Sequence, residues 1–337
     1  MKQMTELLCE LIRDEVCGAP AKCRDMLTEN EAKQLYILAK SHDLVHLLCA
    51  PIERCGISPS KEVLEKFRSQ TFSAVYRQNN ISHEMTRICD TLERACIPFI
   101  PLKGAIVREL YPKPWMRTSC DVDILIRSED LEKAADAIIE TLSYERKWKN
   151  SHEVSFFSKN GVHLELHYRL VGDESRTGLN SVLDTLWESI EPKAGKLYEL
   201  LLADEMFYFY HVAHMALHFE NGGCGMRPFL DMWLLNHNKS YDKAAREALL
   251  HRGGLLKFAV GAEALCEVWF GTSEHTSLTH AIEDYLVGAG VYGSESNSVM
   301  LKQTQKGSSF KYILSRLWLP YDSPECPSAF PAECGCH

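Results

Sequence analysis

The stretch Asp121-Val122-Asp123-Ile124-Leu125-Ile126 constrains this chain more than any other, because two carboxylates two residues apart lead into an apolar run that reads as a buried strand. Side chains alternate across a strand, so Asp121 and Asp123 share one face while Val122, Ile124 and Ile126 occupy the other. Two carboxylates held about 7 Å apart on one rigid face repel each other unless a cation sits between them. That geometry suits divalent ions that carry phosphates. A strand end whose two acids simply face water would read the same way, so the surroundings must decide.

A chain of 337 residues can bury a large core and is expected to fold as two or three connected units. Its 45% hydrophobic and 25% charged content fits an ordinary globular protein. The net charge of −9 argues against holding long nucleic acid by its phosphates, which needs a basic surface. Residues 1–16 carry Lys2, Glu6, Glu10, Arg13, Asp14 and Glu15 among the apolar positions, so no signal peptide is expected there. A run of about 18 apolar residues, enough to span a membrane, is also missing. Thirteen cysteines, an odd number without repeated spacing, fit reduced thiols better than a disulfide framework, and a cytoplasmic protein is expected.

Four regions are expected: helical over 1–94, a mixed core over 95–172, helical again over 173–320, and a tail over 321–337. In the first, apolar residues recur at helical spacing, as at Leu7, Leu8, Leu11 and Ile12 and at Ile81, Met85, Ile88 and Leu92. The texture changes at Ile97-Pro98-Phe99-Ile100-Pro101-Leu102, a short strand whose prolines suit an edge. Lys103-Gly104 then opens a short helix, Ala105 to Tyr111, stopped by Pro112. After the aspartate strand, Ser128 reads as the N-cap of a helix whose stripe is Leu131, Ala134, Ala135, Ile138, Ile139 and Leu142. Strands over 153–158 and 162–168 flank Asn160-Gly161, a strong hairpin signal, and place Glu165 between His163 and His167 on a polar face. From Leu200 to His237 two long helices break at Asn221-Gly222-Gly223.

Taken together, Leu102-Lys103-Gly104, Leu110-Tyr111-Pro112, Arg117, the Asp121 strand and Leu164-Glu165-Leu166-His167 resemble the nucleotidyltransferase superfamily. Within it they are similar to a bacterial nucleotidyltransferase-like branch with a polymerase-beta-like core. The likeness extends more loosely to His214, Arg227, Asp231 and Gly293. The resemblance implies an α+β protein, its small mixed β-sheet flanked by N-terminal and C-terminal helical regions. It further implies transfer of a nucleoside monophosphate from an NTP to a hydroxyl of a small molecule or protein, with Mg²⁺ or Mn²⁺. On this chain, Asp121, Asp123 and Glu165 would hold the metals, and Glu165 would draw the acceptor proton. Gly104 would admit the triphosphate, with N–H groups of the short helix pointing at it. Lys103 and Arg117 would neutralise phosphoryl charge, and His167 would orient Glu165 or touch phosphate. The superfamily's Gly-Ser turn is here Gly104-Ala105, so a hydroxyl contact is missing. A catalytically silent module that binds nucleotides or a partner protein is therefore the alternative.

Other clusters invite blander readings. His211, His214 and His218 share a helix face, where packing is commoner than metal binding, although His214 and His218 with Asp231 would also suit a metal phosphohydrolase. Arg227 and Asp231, one turn apart, can pair along the helix. Cys326, Cys334, Cys336 and His337 have the wrong spacing for a closed zinc knuckle.

Overall fold

The computed structural model describes residues 2–22, 25–171, 177–238, 240–291, 293 and 317. Four helices lead: α1 (Lys2–Val16), α2 (Glu29–Ser41), α3 (Cys49–Cys55) and α4 (Lys61–Arg94). Thr28 starts α2 through a capping box with Glu31, and Ser60 caps α4 by accepting from Val63 N–H. The C-terminal half of α4 buries Ile81, Ile88 and Leu92 against the sheet, so the first helical region supplies one wall of the core that follows.

That core runs β1 (Phe99–Pro101), α5 (Gly104–Val107), β2 (Asp121–Ile126), α6 (Leu131–Leu142), β3 (Glu145–Lys149), β4 (Glu153–Phe157) and β5 (His163–His167). The five strands form a mixed sheet in the order β1-β2-β5-β4-β3, in which only the β2–β5 pair is parallel. The expected strand-helix-strand-helix order and the β4–β5 hairpin are present. Alternation along β2 and β5 sends Val122, Ile124, Ile126, Val162, Leu164 and Leu166 into a core shared with α4 and α6. Burying those six side chains stabilises the sheet by roughly 1.5–3 kcal/mol each and fixes the register, since a one-residue slip would turn every acid inward.

Beyond the sheet come α7 (Thr177–Leu183), the ribbon β6 (Ile190–Pro192) and β7 (Leu200–Leu202), then α8 (Asp204–Glu220), α9 (Arg227–Asn238), α10 (Lys243–Arg252), α11 (Leu256–Trp269) and α12 (Ser277–Val287). The helices on both sides of the sheet in sequence share one core: Leu8, Ile12 and Leu48 belong to the same buried cluster as Phe229, Leu265 and Ile282. Gly293, at φ +69°, closes this packing against Gly222, whose carbonyl carbon lies 2.7 Å from where a Cβ would stand. No other residue fits there without moving backbone.

Several local expectations are corrected. The helix after Gly104 ends at Val107 and tightens into a 3-10 turn over Arg108–Leu110, leaving Tyr111 extended before Pro112. Ser128 opens a 3-10 turn, Ser128–Asp130, and its hydroxyl meets Glu129 rather than capping α6. Strand β3 and the β6–β7 ribbon were not expected at all. Among the described residues Cys9, Cys17, Cys49, Cys89, Cys96, Cys120, Cys224 and Cys266 are free thiols, and no helix is long and apolar enough to cross a membrane. The cysteine-rich end, Cys326 to His337, lies outside the described residues.

Candidate active site

The parallel register sets Asp123 beside Glu165, with Asp121 opposite His163 and Leu125 opposite His167. All the odd-numbered positions face away from the sheet core, so three carboxylates and two imidazoles crowd one surface. The His167 Nε2 lies 3.0 Å from Asp123 Oδ1 and 3.3 Å from Glu165 Oε2, which makes the histidine a bridge between acids on different strands. Asp123, Glu165 and His167 each bring a donor atom within 4.8 Å of the others, a separation a metal ion can span. Asp121 joins them electrostatically: burial and then Asp123 push its carboxyl up. Four nearby donors with one carboxyl driven toward protonation fit a site that needs a cation. A divalent ion would be held by Asp121, Asp123 and Glu165, with His167 beside them.

Two cations partly meet that need. Lys103 Nζ lies 3.2 Å from Asp123 Oδ1; burial works against its charge, but Asp123 raises the ammonium above its ordinary value. Burial also lowers His167, yet its hydrogen bonds to Asp123 and Glu165 carry the imidazole up to about 9. Against burial, Lys103 and then His167 hold Asp123 well below the usual carboxylate range. The backbone places Lys103 by force: Leu102 N–H donates to the Asp123 carbonyl at 3.0 Å, and Lys103 adopts φ +36°, ψ −103°. A non-glycine residue in that conformation costs about 1–3 kcal/mol and persists where the surroundings over-determine it. From α8, Tyr210 and His214 lie beside Lys103.

At the turn itself Gly104 is closely surrounded. A Cβ there would lie 3.3 Å from an Arg117 nitrogen and 3.4 Å from an Arg108 nitrogen. These two guanidinium groups differ. Arg117 forms a buried pair with Asp231, its Nε and Nη2 both donating to Oδ2 at 3.2 and 2.9 Å, and Tyr111 donates to Oδ1 of the same carboxylate at 2.7 Å. Burial opposes its charge and Asp231 more than restores it, so Arg117 stays above its ordinary value. Arg108 donates to Ser119 Oγ at 2.9 Å, but its buried Nε has no partner, and it lines a small cleft with Gly104, Ala105, Asp121 and Asp123. Burial and then Arg117 depress Arg108 to about 10.

The structure therefore unites Lys103, Gly104, Asp121, Asp123, Glu165 and His167, and ties Arg117 to the helical layer. The expected Arg227–Asp231 pair is replaced: Asp231 belongs to Arg117 and Tyr111, and Arg227 reaches Asp43 at 3.0 Å. The short helix offers less than expected, because the N–H groups of Ala105, Ile106 and Val107 already donate to the carbonyls of Leu102 and Lys103. His214 and His218 face each other with Nε2 atoms 3.1 Å apart, while His211 meets the Pro228 carbonyl, and Asp231, already engaged, completes no metal set with them. Arg108 escaped notice, although its place four residues after Gly104, one helical turn on, was a usable signal. A wider hollow of about 200 Å³, lined by Arg127, Tyr168 and Trp187, lies further along the same face, separated from the acids by buried Leu125.

Carboxylates thus meet across a parallel strand pair, behind a Lys-Gly turn on a small mixed sheet. Residues 28–271, about seven-tenths of the chain, match the family described as uncharacterised nucleotidyltransferase, and the chain belongs to that family. Among solved structures, the antibiotic-resistance factor ANT(2'')-Ia is similar at 12% identity and a TM-score of 0.39, over 54% of this chain and 97% of that one. No curated protein matches.

Proposed function

We propose that the protein is a Mg²⁺-dependent nucleotidyltransferase that moves a nucleoside monophosphate from an NTP to a hydroxyl of a small molecule or protein. The observation that carries this reading is the register pairing of Asp123 with Glu165, which brings acids from separate strands within reach of one ion. The ion would neutralise phosphate oxygens and orient the reacting groups. Glu165 takes the proton of the acceptor hydroxyl as that oxygen attacks the α-phosphorus, and the bond to pyrophosphate breaks. His167 holds Glu165 and Asp123 in place. Lys103 and Arg108, whose guanidinium lines the cleft beside Gly104 and the aspartates, bind the triphosphate and the departing pyrophosphate. Arg117 acts indirectly, by fixing the floor of the turn beneath Gly104.

Thermal denaturation with each NTP tests this directly. An NTP with Mg²⁺ raises Tm by mass action on the native state, and the D121N/D123N variant shows no shift. Absence of any shift with all four NTPs, with Mg²⁺ or Mn²⁺, sinks the proposal. Ala105 in place of a hydroxyl favours a second reading, a silent nucleotide-binding module, which shows the same shift without pyrophosphate release.

A further inference from the structure

Far from the acids in sequence, a second set of donors converges where the linker after α11 meets α12. His275 precedes the helix cap Thr276, and His280 and Glu283 stand three residues apart on α12, so they share a side of the helix. One nitrogen of each histidine and one Glu283 oxygen lie within 4.8 Å of one another. His275 Nε2 is 3.6 Å from Glu283 Oε2, near the roughly 3.4 Å that separates two ligands bound at about 2.05 Å around a tetrahedral ion. We propose that His275, His280 and Glu283 form a transition-metal site, with Zn²⁺ as its occupant and water in the fourth position.

Support comes from the groups behind the ligands. Metal-binding histidines usually hand their second nitrogen to an oxygen, which fixes the tautomer and leaves the first lone pair free. Here His275 Nδ1 lies 3.3 Å from Thr279 Oγ1, whose own proton goes to the Thr276 carbonyl, so Nε2 is left to face Glu283. Trp269 Nε1 donates to Glu283 Oε2 at 2.7 Å and aims the carboxylate. The two imidazoles stack with centroids 4.0 Å apart and planes 6° from parallel, so one ring turns out of the stack when both lone pairs meet a common ion.

Two nitrogens and one oxygen suit Zn²⁺ and its neighbours rather than Mg²⁺, which prefers oxygen alone. The ion would join the end of α11, its linker and α12, a corner beyond the 28–271 match, so this site stands independently of the proposed transfer reaction.

The test uses the full chain as D123N/E165Q with Cys326, Cys334 and Cys336 changed to Ser, which removes the acid cleft and the tail thiols as competing ligands. Titration with ZnCl₂ should give one ion per chain, and CoCl₂ the intense visible absorption of a tetrahedral site. H275A, H280A and W269F, which removes the orienting N–H together with part of the buried ring, should each weaken Zn²⁺ binding by roughly 10- to 100-fold or more, and MgCl₂ should not compete. Unchanged affinity in H275A/H280A, or no uptake of Zn²⁺, overturns the site. If the background variant does not fold, wild type should bind one more Zn²⁺ per chain than H275A/H280A, and equal stoichiometry counts against the proposal.

Discussion

Replacing Arg108 with Met should make the protein more stable and a poorer nucleotide binder at once. In the folded chain burial and Arg117 bring Arg108 from 12.5 to about 10. Each tenfold fall in proton affinity corresponds to about 1.4 kcal/mol, so holding this charge costs on the order of 3 kcal/mol. A base with a depressed value destabilises the fold wherever it is charged, here at every pH below about 10. Removing it also loses the hydrogen bond to Ser119, worth about 1 kcal/mol, while Met fills much the same space. The net expectation is a gain of about 1–2 kcal/mol, in line with other buried charges replaced by apolar side chains. Urea denaturation of R108M should show a higher midpoint with an unchanged slope, and NTP titration should show binding weakened by roughly tenfold or more, the loss of one charge-assisted contact. A lower midpoint with unchanged NTP binding would refute the reasoning and make Arg108 a structural residue.

The Arg117–Asp231 pair makes the opposite prediction: D231N leaves a buried guanidinium uncompensated and should cost about 3–5 kcal/mol in the same denaturation, and a loss below 1 kcal/mol would show that Arg117 has other anions to meet. For His167 the folded value of about 9 lies above the ordinary 6.5, so its contribution is complete below pH 6.5 and disappears as pH rises through 9. In EDTA, stability should fall across that window by up to about 3 kcal/mol, and H167Q should flatten the decline. Restoring the missing hydroxyl with A105S should lower the NTP concentration needed for half-maximal binding, measured by calorimetry, without shifting Tm in the absence of ligand.

What the sequence disclosed followed from local periodicity. The alternation in β2 and β5 and the Asn160-Gly161 turn identified the strands, with Asp121 and Asp123 on one face of the first and Glu165 on the polar face of the second; that these acids meet was implied only by the resemblance. Strand β3, Glu-Arg-Lys-Trp-Lys, is exposed along its whole length and has no alternation to betray it. It is held by pairing with β4 at an edge, a cause that lies in another segment. Arg117 and Asp231 are 114 positions apart, and spacing along one helix pointed to Arg227 instead. The common core of the two helical regions was hidden for the same reason: each amphipathic face announces that it is buried and says nothing of its partner. Lys103 was legible as a charge, but its strained backbone and contact with Asp123 arise only once β1 has paired with β2.

The central claim, that Asp121, Asp123 and Glu165 hold a metal-bound NTP for transfer, is tested most directly by incubating the protein with α-labelled NTPs, Mg²⁺ and a cell extract. The account predicts label on a hydroxyl-bearing acceptor with wild type, and none with E165Q or in EDTA. Labelling that survives E165Q, or none with any NTP while the Tm shift persists, would contradict it.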